Sequence, residues 1–144
     1  MRGLLTSKWG SLAAAIALAV SGAYSAVASA ADVKVTLAGD QEVPAVSTAA
    51  KGSGTVTIGD DMSVKGTITT SGVAGTAAHI HIGGAGKNGP VVVPMVKSGD
   101  NGWTFAAGAK LTEDQMKAFK AGELYINVHS AANPGGEIRG QLKP

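Results

Sequence analysis

The chain contains no cysteine. Disulfides therefore cannot brace it, a thiolate cannot hold a metal, and no lipid can be attached through an N-terminal cysteine. Any metal must be held by histidine, carboxylate, methionine or backbone oxygen. Aromatics are almost as scarce, with two each of Trp, Tyr and Phe in 144 residues, so the core must be largely aliphatic. Charge is sparse too: 12 Lys plus Arg stand against 10 Asp plus Glu, with no block of either sign. Nucleic-acid binding lacks the basic stripe it requires. No apolar run is long enough to span a bilayer. Only three histidines are present, and two of them, in AAHIHIGGAGKNGP over 77–90, stand one residue apart.

The longest apolar run, Leu12–Val20, has signal-peptide length. It follows Arg2 and Lys8 and precedes the small residues Ala28-Ser29-Ala30. This is the pattern of a secretory signal peptide over 1–30, with cleavage after Ala30 and a single domain over 31–144. No twin arginine precedes the run, which favours the general secretory route. The expected location is periplasmic or secreted, with no membrane span after cleavage. Loss of Arg2 and Lys8 leaves ten basic against ten acidic residues, a formally neutral domain.

Within 31–144 the hydrophobic period is two, not three to four. Asp32–Ala38 alternates, with Val33, Val35 and Leu37 on one face. Gly54–Ile58 and Ser63–Thr70 flank turn residues 59–62 and read as a hairpin. Gly66, inside the second run, marks a bulge or a close approach. Further strands are expected over 77–82, 102–106, 123–129 and 137–142, with an edge segment over 91–96 interrupted by Pro94. The period changes once, at Thr112, where Gln115 three residues on completes a capping box. The expected fold is all-β: an antiparallel, Greek-key-like β-sandwich or small barrel with one short helix near 112–121.

Strand alternation places His79 and His81 on one face, and Tyr125, Asn127 and His129 on one face of another strand. Imidazoles at i and i+2 can converge on one ion, and imidazole suits copper, zinc or nickel. A third histidine completes a three-nitrogen site with an open position. His79, His81 and His129 are thus the candidate metal ligands, with Glu137 or Met95 as additional donors. Glu137 and Arg139 share a face by spacing and are expected to pair. The 83–89 loop, GGAGKNG, lacks the Lys-Ser/Thr ending of a phosphate loop. No serine elbow or nucleophilic triad is present, so hydrolysis is unsupported.

The segments Gln41-Glu42-Val43-Pro44, Ala78-His79-Ile80-His81, Tyr125-Ile126-Asn127-Val128-His129 and Gly136-Glu137-Ile138-Arg139-Gly140-Gln141-Leu142 occur in an order that resembles the CHRD domain family. That family is named after the secreted protein chordin and also occurs in exported bacterial proteins. The resemblance runs from Val33 to Leu142 and implies an extracytoplasmic β-sandwich-like domain, with all three histidines inside signature motifs. It implies no settled activity. A weaker similarity, of geometry alone, is to copper-zinc superoxide dismutase, which also places His-x-His on a strand; this chain has too few histidines for that two-metal site.

Three functions compete. The first is a metal-binding domain, for copper ahead of zinc, serving sequestration, storage or delivery. The second is a module that binds an extracytoplasmic protein, its histidines structural. The third is a copper redox enzyme.

Overall fold

The computed structural model describes residues 29–144. The expected signal peptide over 1–30 lies outside the described residues except for its last two.

The strands are β1 (Ala30–Ala38), β2 (Lys51–Gly59), β3 (Val64–Ser71), β4 (Gly75–Ile82), β5 (Val91–Pro94), β6 (Val96–Lys97), β7 (Gly102–Thr104), β8 (Leu124–Ser130) and β9 (Ile138–Leu142). They form one antiparallel sheet in the order β5-β4-β8-β9-β1-β2-β3-β7-β6. The two ends of that order are consecutive in the chain, separated only by Met95. Met95 N donates to the Ala78 carbonyl on β4 (2.9 Å), while Val96 pairs with Thr104 on β7. One extended segment thus serves both edges, and the sheet curls into a nearly closed barrel. Lys97 spans the seam: its Nζ donates to the Gly75 carbonyl at 2.9 Å and sits 5.5 Å over the Trp103 ring. Pro94 is tolerated here because an edge position need not donate to a neighbouring strand.

Alternation sorts side chains as the sequence predicts. Val33, Val35 and Leu37 enter the core from β1, and Ile80, Ile126 and Ile138 from β4, β8 and β9. Met95 joins them at 8 % exposure. The residue entertained as a soft metal ligand is therefore part of the apolar packing.

The one α-helix among the described residues, α1 (Glu113–Lys120), carries the expected capping box. Thr112 Oγ1 accepts from Gln115 N, and Thr112 N donates to Gln115 Oε1. Acidic Glu113 and Asp114 occupy the first turn, basic Lys117 and Lys120 the last, both favourable to the helix dipole. Gly122, at φ +73°, ends it. Phe119 anchors the helix, and burying such a ring stabilises by about 1.5–3 kcal/mol. No helix among the described residues is long and apolar enough to cross a membrane.

Gly66 is a close approach, not a bulge: β2 and β3 pair through it without a register shift. Its φ is +139°, and an added Cβ would collide with the Thr55 carbonyl oxygen. Gly66→Ala should therefore destabilise the fold by at least about 2 kcal/mol in urea melts. Gly84→Ala, with no atom near its Cβ position, should stay within about 0.5 kcal/mol of the parent. Equal melts for the two variants would contradict this account.

Candidate metal centre

β4 and β8 are neighbours, and their register opposes Ala77 to His129, His79 to Asn127 and His81 to Tyr125. These side chains lie on the outer face of the barrel, while the intervening Ala78, Ile80, Ile126 and Val128 enter the core. His129 is diagonal to His79, within reach across a strand pair. The result is a cluster: His79, His81 and His129 each offer one nitrogen, and these atoms lie within 4.8 Å of one another. His79 Nδ1 and His129 Nε2 are 3.1 Å apart.

The outer face is not a solvated one here. Tyr125 and Asn127 are each 2 % exposed, Arg139 1 %, Glu42 6 % and His81 8 %. The cover is the 83–89 loop, which folds back over β4, β8 and β9. Arg139 holds it there: its Nη atoms donate to Asn88 Oδ1 (3.2 Å), the Gly84 carbonyl (3.1 Å) and the Lys87 carbonyl (2.6 Å). The guanidinium also lies 3.4 Å over the Tyr125 ring. His81 stacks on that ring at 4.9 Å with planes 6° apart. Because β8 lies between β4 and β9, imidazole and guanidinium approach the phenol from its two sides.

The loop in turn aims the histidine. Gly89 N donates to Tyr125 Oη, and the Gly89 carbonyl accepts from His81 Nδ1 at 2.9 Å. On the other side of the cluster the Pro134 carbonyl accepts from His129 Nδ1 at 2.8 Å. Two of the three imidazoles therefore carry their proton on Nδ1, tied to backbone, and present bare Nε2 atoms. This is how metal-ligating histidines are usually oriented. Burial, followed by repulsion from His129 and His81, holds His79 below the ordinary imidazole value. Burial also depresses His81, offset in part by its bond to Gly89. Both rings are neutral at pH 7, the form a metal requires.

Three buried polar atoms among the described residues have no hydrogen-bond partner: His81 Nε2, Asn127 Oδ1 and Glu42 Oε1. They belong to one network. Asn127 lies on β8 beside the β4 strand that carries His81, and its Nδ2 meets the Glu42 carboxyl above Gly136. Burial pushes Glu42 up to about 7, although Arg139 and Asn127 pull the other way.

Glu137 is not among the clustered groups. It precedes β9, its Oε1 accepts from Thr48 Oγ1 at 2.8 Å, and bonds from Ser130 and Thr48 hold it below the usual carboxylate range. The expected Glu137–Arg139 pair does not form; the only ion pair among the described residues is Lys117–Asp114. Alternation does not extend to Glu137 because it lies outside the strand. Glu42, in the loop that precedes β2, was missed by spacing arguments. Its one sequence signal is its place in Gln41-Glu42-Val43-Pro44.

A family model described as CHRD domain matches residues 33–142. No curated protein and no solved structure matches the chain.

Two outcomes follow from this network. Arg139→Ala strips three acceptors and one face of Tyr125, so it should cost more than about 3 kcal/mol in urea melts, beyond the 0–1 of an exposed charge; a smaller loss would mean the loop holds itself. The second concerns Glu42, whose native carboxyl titrates near 7 against an ordinary 4.5. The native chain binds this proton more tightly than the unfolded chain. The stability it contributes is full below 4.5 and is lost as pH rises through about 7. Glu42→Gln should gain on the parent by about 1.4 kcal/mol per pH unit across that window. The depressed histidines act in the opposite sense but are common to both proteins and cancel. A difference that stays flat with pH would contradict the buried carboxyl.

Proposed function

The chain belongs to the CHRD domain family, and on that premise we propose that it is an exported domain that binds a single copper ion through His79, His81 and His129, for sequestration, storage or delivery. The observation that carries this reading is the buried, partnerless Nε2 of His81, on a ring clustered with two other imidazoles. A purely structural histidine network accounts for the 3.1 Å contact between His79 and His129. It leaves His81 Nε2 with no partner, and buried polar atoms are rarely left so.

The spacing suits an ion. Metal–nitrogen bonds of about 2.0–2.1 Å make two nitrogens 3.1 Å apart subtend about 100° at the metal. Ligands on opposite sides of an ion would be about 4 Å apart, so a 4.8 Å span closes with a small inward shift of the rings. His129 and His81 would bind through Nε2. His79 would bind through Nδ1 after moving its proton to Nε2. All donors are neutral nitrogens, which places copper(II) ahead of zinc by affinity. Export is supported by the basic start, apolar run and small residues at 28–30, and copper is available outside the cytoplasm.

Exported protein purified without an affinity tag should begin at Ala31 by intact mass and take up one copper per chain, with nitrogen hyperfine structure in its resonance spectrum. Each single His→Ala change should weaken binding strongly, with the apo fold retained in all three and the apo melt close to the parent's for the less buried His79 and His129. Affinity should fall as pH drops below about 6.5. A parent that binds no copper, or three variants that bind like it, would make the histidines structural and favour a protein-interaction module instead. Retention of Met1 would count against export.

A further inference from the structure

We propose that Asn127 supplies a fourth donor, its carboxamide oxygen, to the histidine site, and that Glu42 is the positioning residue that aims it. The inference rests on the metal reading of the three histidines and adds a ligand of a different chemical class. Asn127 sits mid-strand on β8, directly opposite His79, with Tyr125 and His129 as its neighbours on the same face. It is 2 % exposed, and its Oδ1 has no partner. His81 Nε2, also buried, has none either, although His81 and Asn127 stand diagonally across the β4–β8 pair.

The proton inventory explains why they do not satisfy each other. His81 Nδ1 faces a carbonyl oxygen, that of Gly89, so the neutral ring carries its hydrogen there and Nε2 is an acceptor. An amide oxygen is an acceptor as well. Two buried acceptors on neighbouring side chains are therefore left without a donor, an arrangement that a cation resolves. The opposite amide orientation would offer a donor to His81, but the surroundings oppose it. Asn127 Nδ2 faces the Gly135 carbonyl at 3.4 Å and meets the Glu42 carboxyl above Gly136, whose missing Cβ would collide with both groups. Reversal would set the amide oxygen against a carbonyl and, whenever Glu42 is ionised, a carboxylate. Glu42 thus keeps the amine side of Asn127 toward itself and the oxygen side toward the histidines. The carboxylate expected as a fourth ligand, Glu137, is engaged by Thr48.

An oxygen donor carries a selectivity. Carbonyl oxygen is hard and suits divalent ions, whereas copper(I) prefers soft ligands and is content with nitrogen alone. Asn127 is then the residue that tunes the site toward copper(II).

The test titrates copper(II) and copper(I) separately, against competing chelators, into the tag-free protein and three variants. Asn127→Leu should weaken copper(II), by at least about the 10- to 100-fold typical of lost metal-site support, shift its resonance spectrum, and leave copper(I) affinity unchanged. Asn127→Asp, which retains an oxygen, should bind copper(II) at least as tightly as the parent. Glu42→Gln introduces an amine that can donate to the Asn127 oxygen and turn it from the site; copper(II) should weaken by about 10- to 100-fold in a variant whose apo form melts no lower than the parent at pH 7. Should Asn127→Leu fail to fold, the Asp and Gln variants carry the decision. Parent-like copper(II) affinity and spectrum in Glu42→Gln and Asn127→Leu, with the parent loaded, would overturn the fourth donor and leave the histidine site standing. Equal loss of both oxidation states in Asn127→Leu would make Asn127 a structural support. A parent that binds neither ion would defeat the histidine reading itself, and this inference with it.

Discussion

A buried guanidinium organises this molecule. Arg139 is 1 % exposed, and placing a full charge where water cannot reach it is costly unless its donors are satisfied. The chain meets that demand with backbone. Two carbonyls and one side-chain oxygen of the 83–89 loop accept from Arg139, and Tyr125 presents its ring face to the cation. A glycine-rich loop is suited to this task because its carbonyls can crowd inward without side chains in the way. Once the loop is down, Gly89 is fixed, and with it the orientation of His81. The ordering of the cluster descends from the arginine through the loop to the imidazole.

The barrel supplies the platform on which that relay works. β4 and β8 contribute the histidines, and β9 contributes the arginine, so three adjacent strands carry the site. Regular pairing between β8 and β9 and along most of β4–β8 fixes their relative register. Sites built on strands are held more tightly than sites built on loops. Loops 83–89 and 133–136 only complete the second layer, each by offering a carbonyl to a histidine Nδ1. The seam of the barrel closes against the start of β4, where Met95 N and Lys97 Nζ donate to the Ala78 and Gly75 carbonyls.

Much of this was legible in the sequence, for reasons that are local. A two-residue period named the strands and sorted Leu124, Ile126 and Val128 from Tyr125, Asn127 and His129. Thr112 and Gln115 announced the helix because a capping box involves only four consecutive positions. What escaped was nonlocal or sat at an element's end. Polar alternation reads as a solvated face, yet this face is buried, because the loop that covers it approaches through the third dimension. Glu137 was grouped with Arg139 by parity, but β9 begins one residue later and parity has no meaning before a strand starts. Met95 occupies the step where one extended segment passes from the first edge to the last, and its side chain turns inward. Glu42 reaches the site from a loop whose own sequence shows no period at all.

The remaining polar atoms show a fold that is not at its stability optimum. Glu42 lies near a buried cation, yet its Oε1, Asn127 Oδ1 and His81 Nε2 all lack partners. Each buried unsatisfied group costs about 1–3 kcal/mol, an appreciable share of a small domain's total stability of about 5–15 kcal/mol. Replacing such a cluster with aliphatic side chains would be the cheaper way to pack a barrel wall. Local conflicts of this kind, set within a chain whose strands, cap and core otherwise agree, are where function is expected. A ligand that satisfies these acceptors would return the strain as binding free energy and raise the stability of the folded state by mass action. The same acceptors that weaken the fold are thus the ones that a bound cation would satisfy.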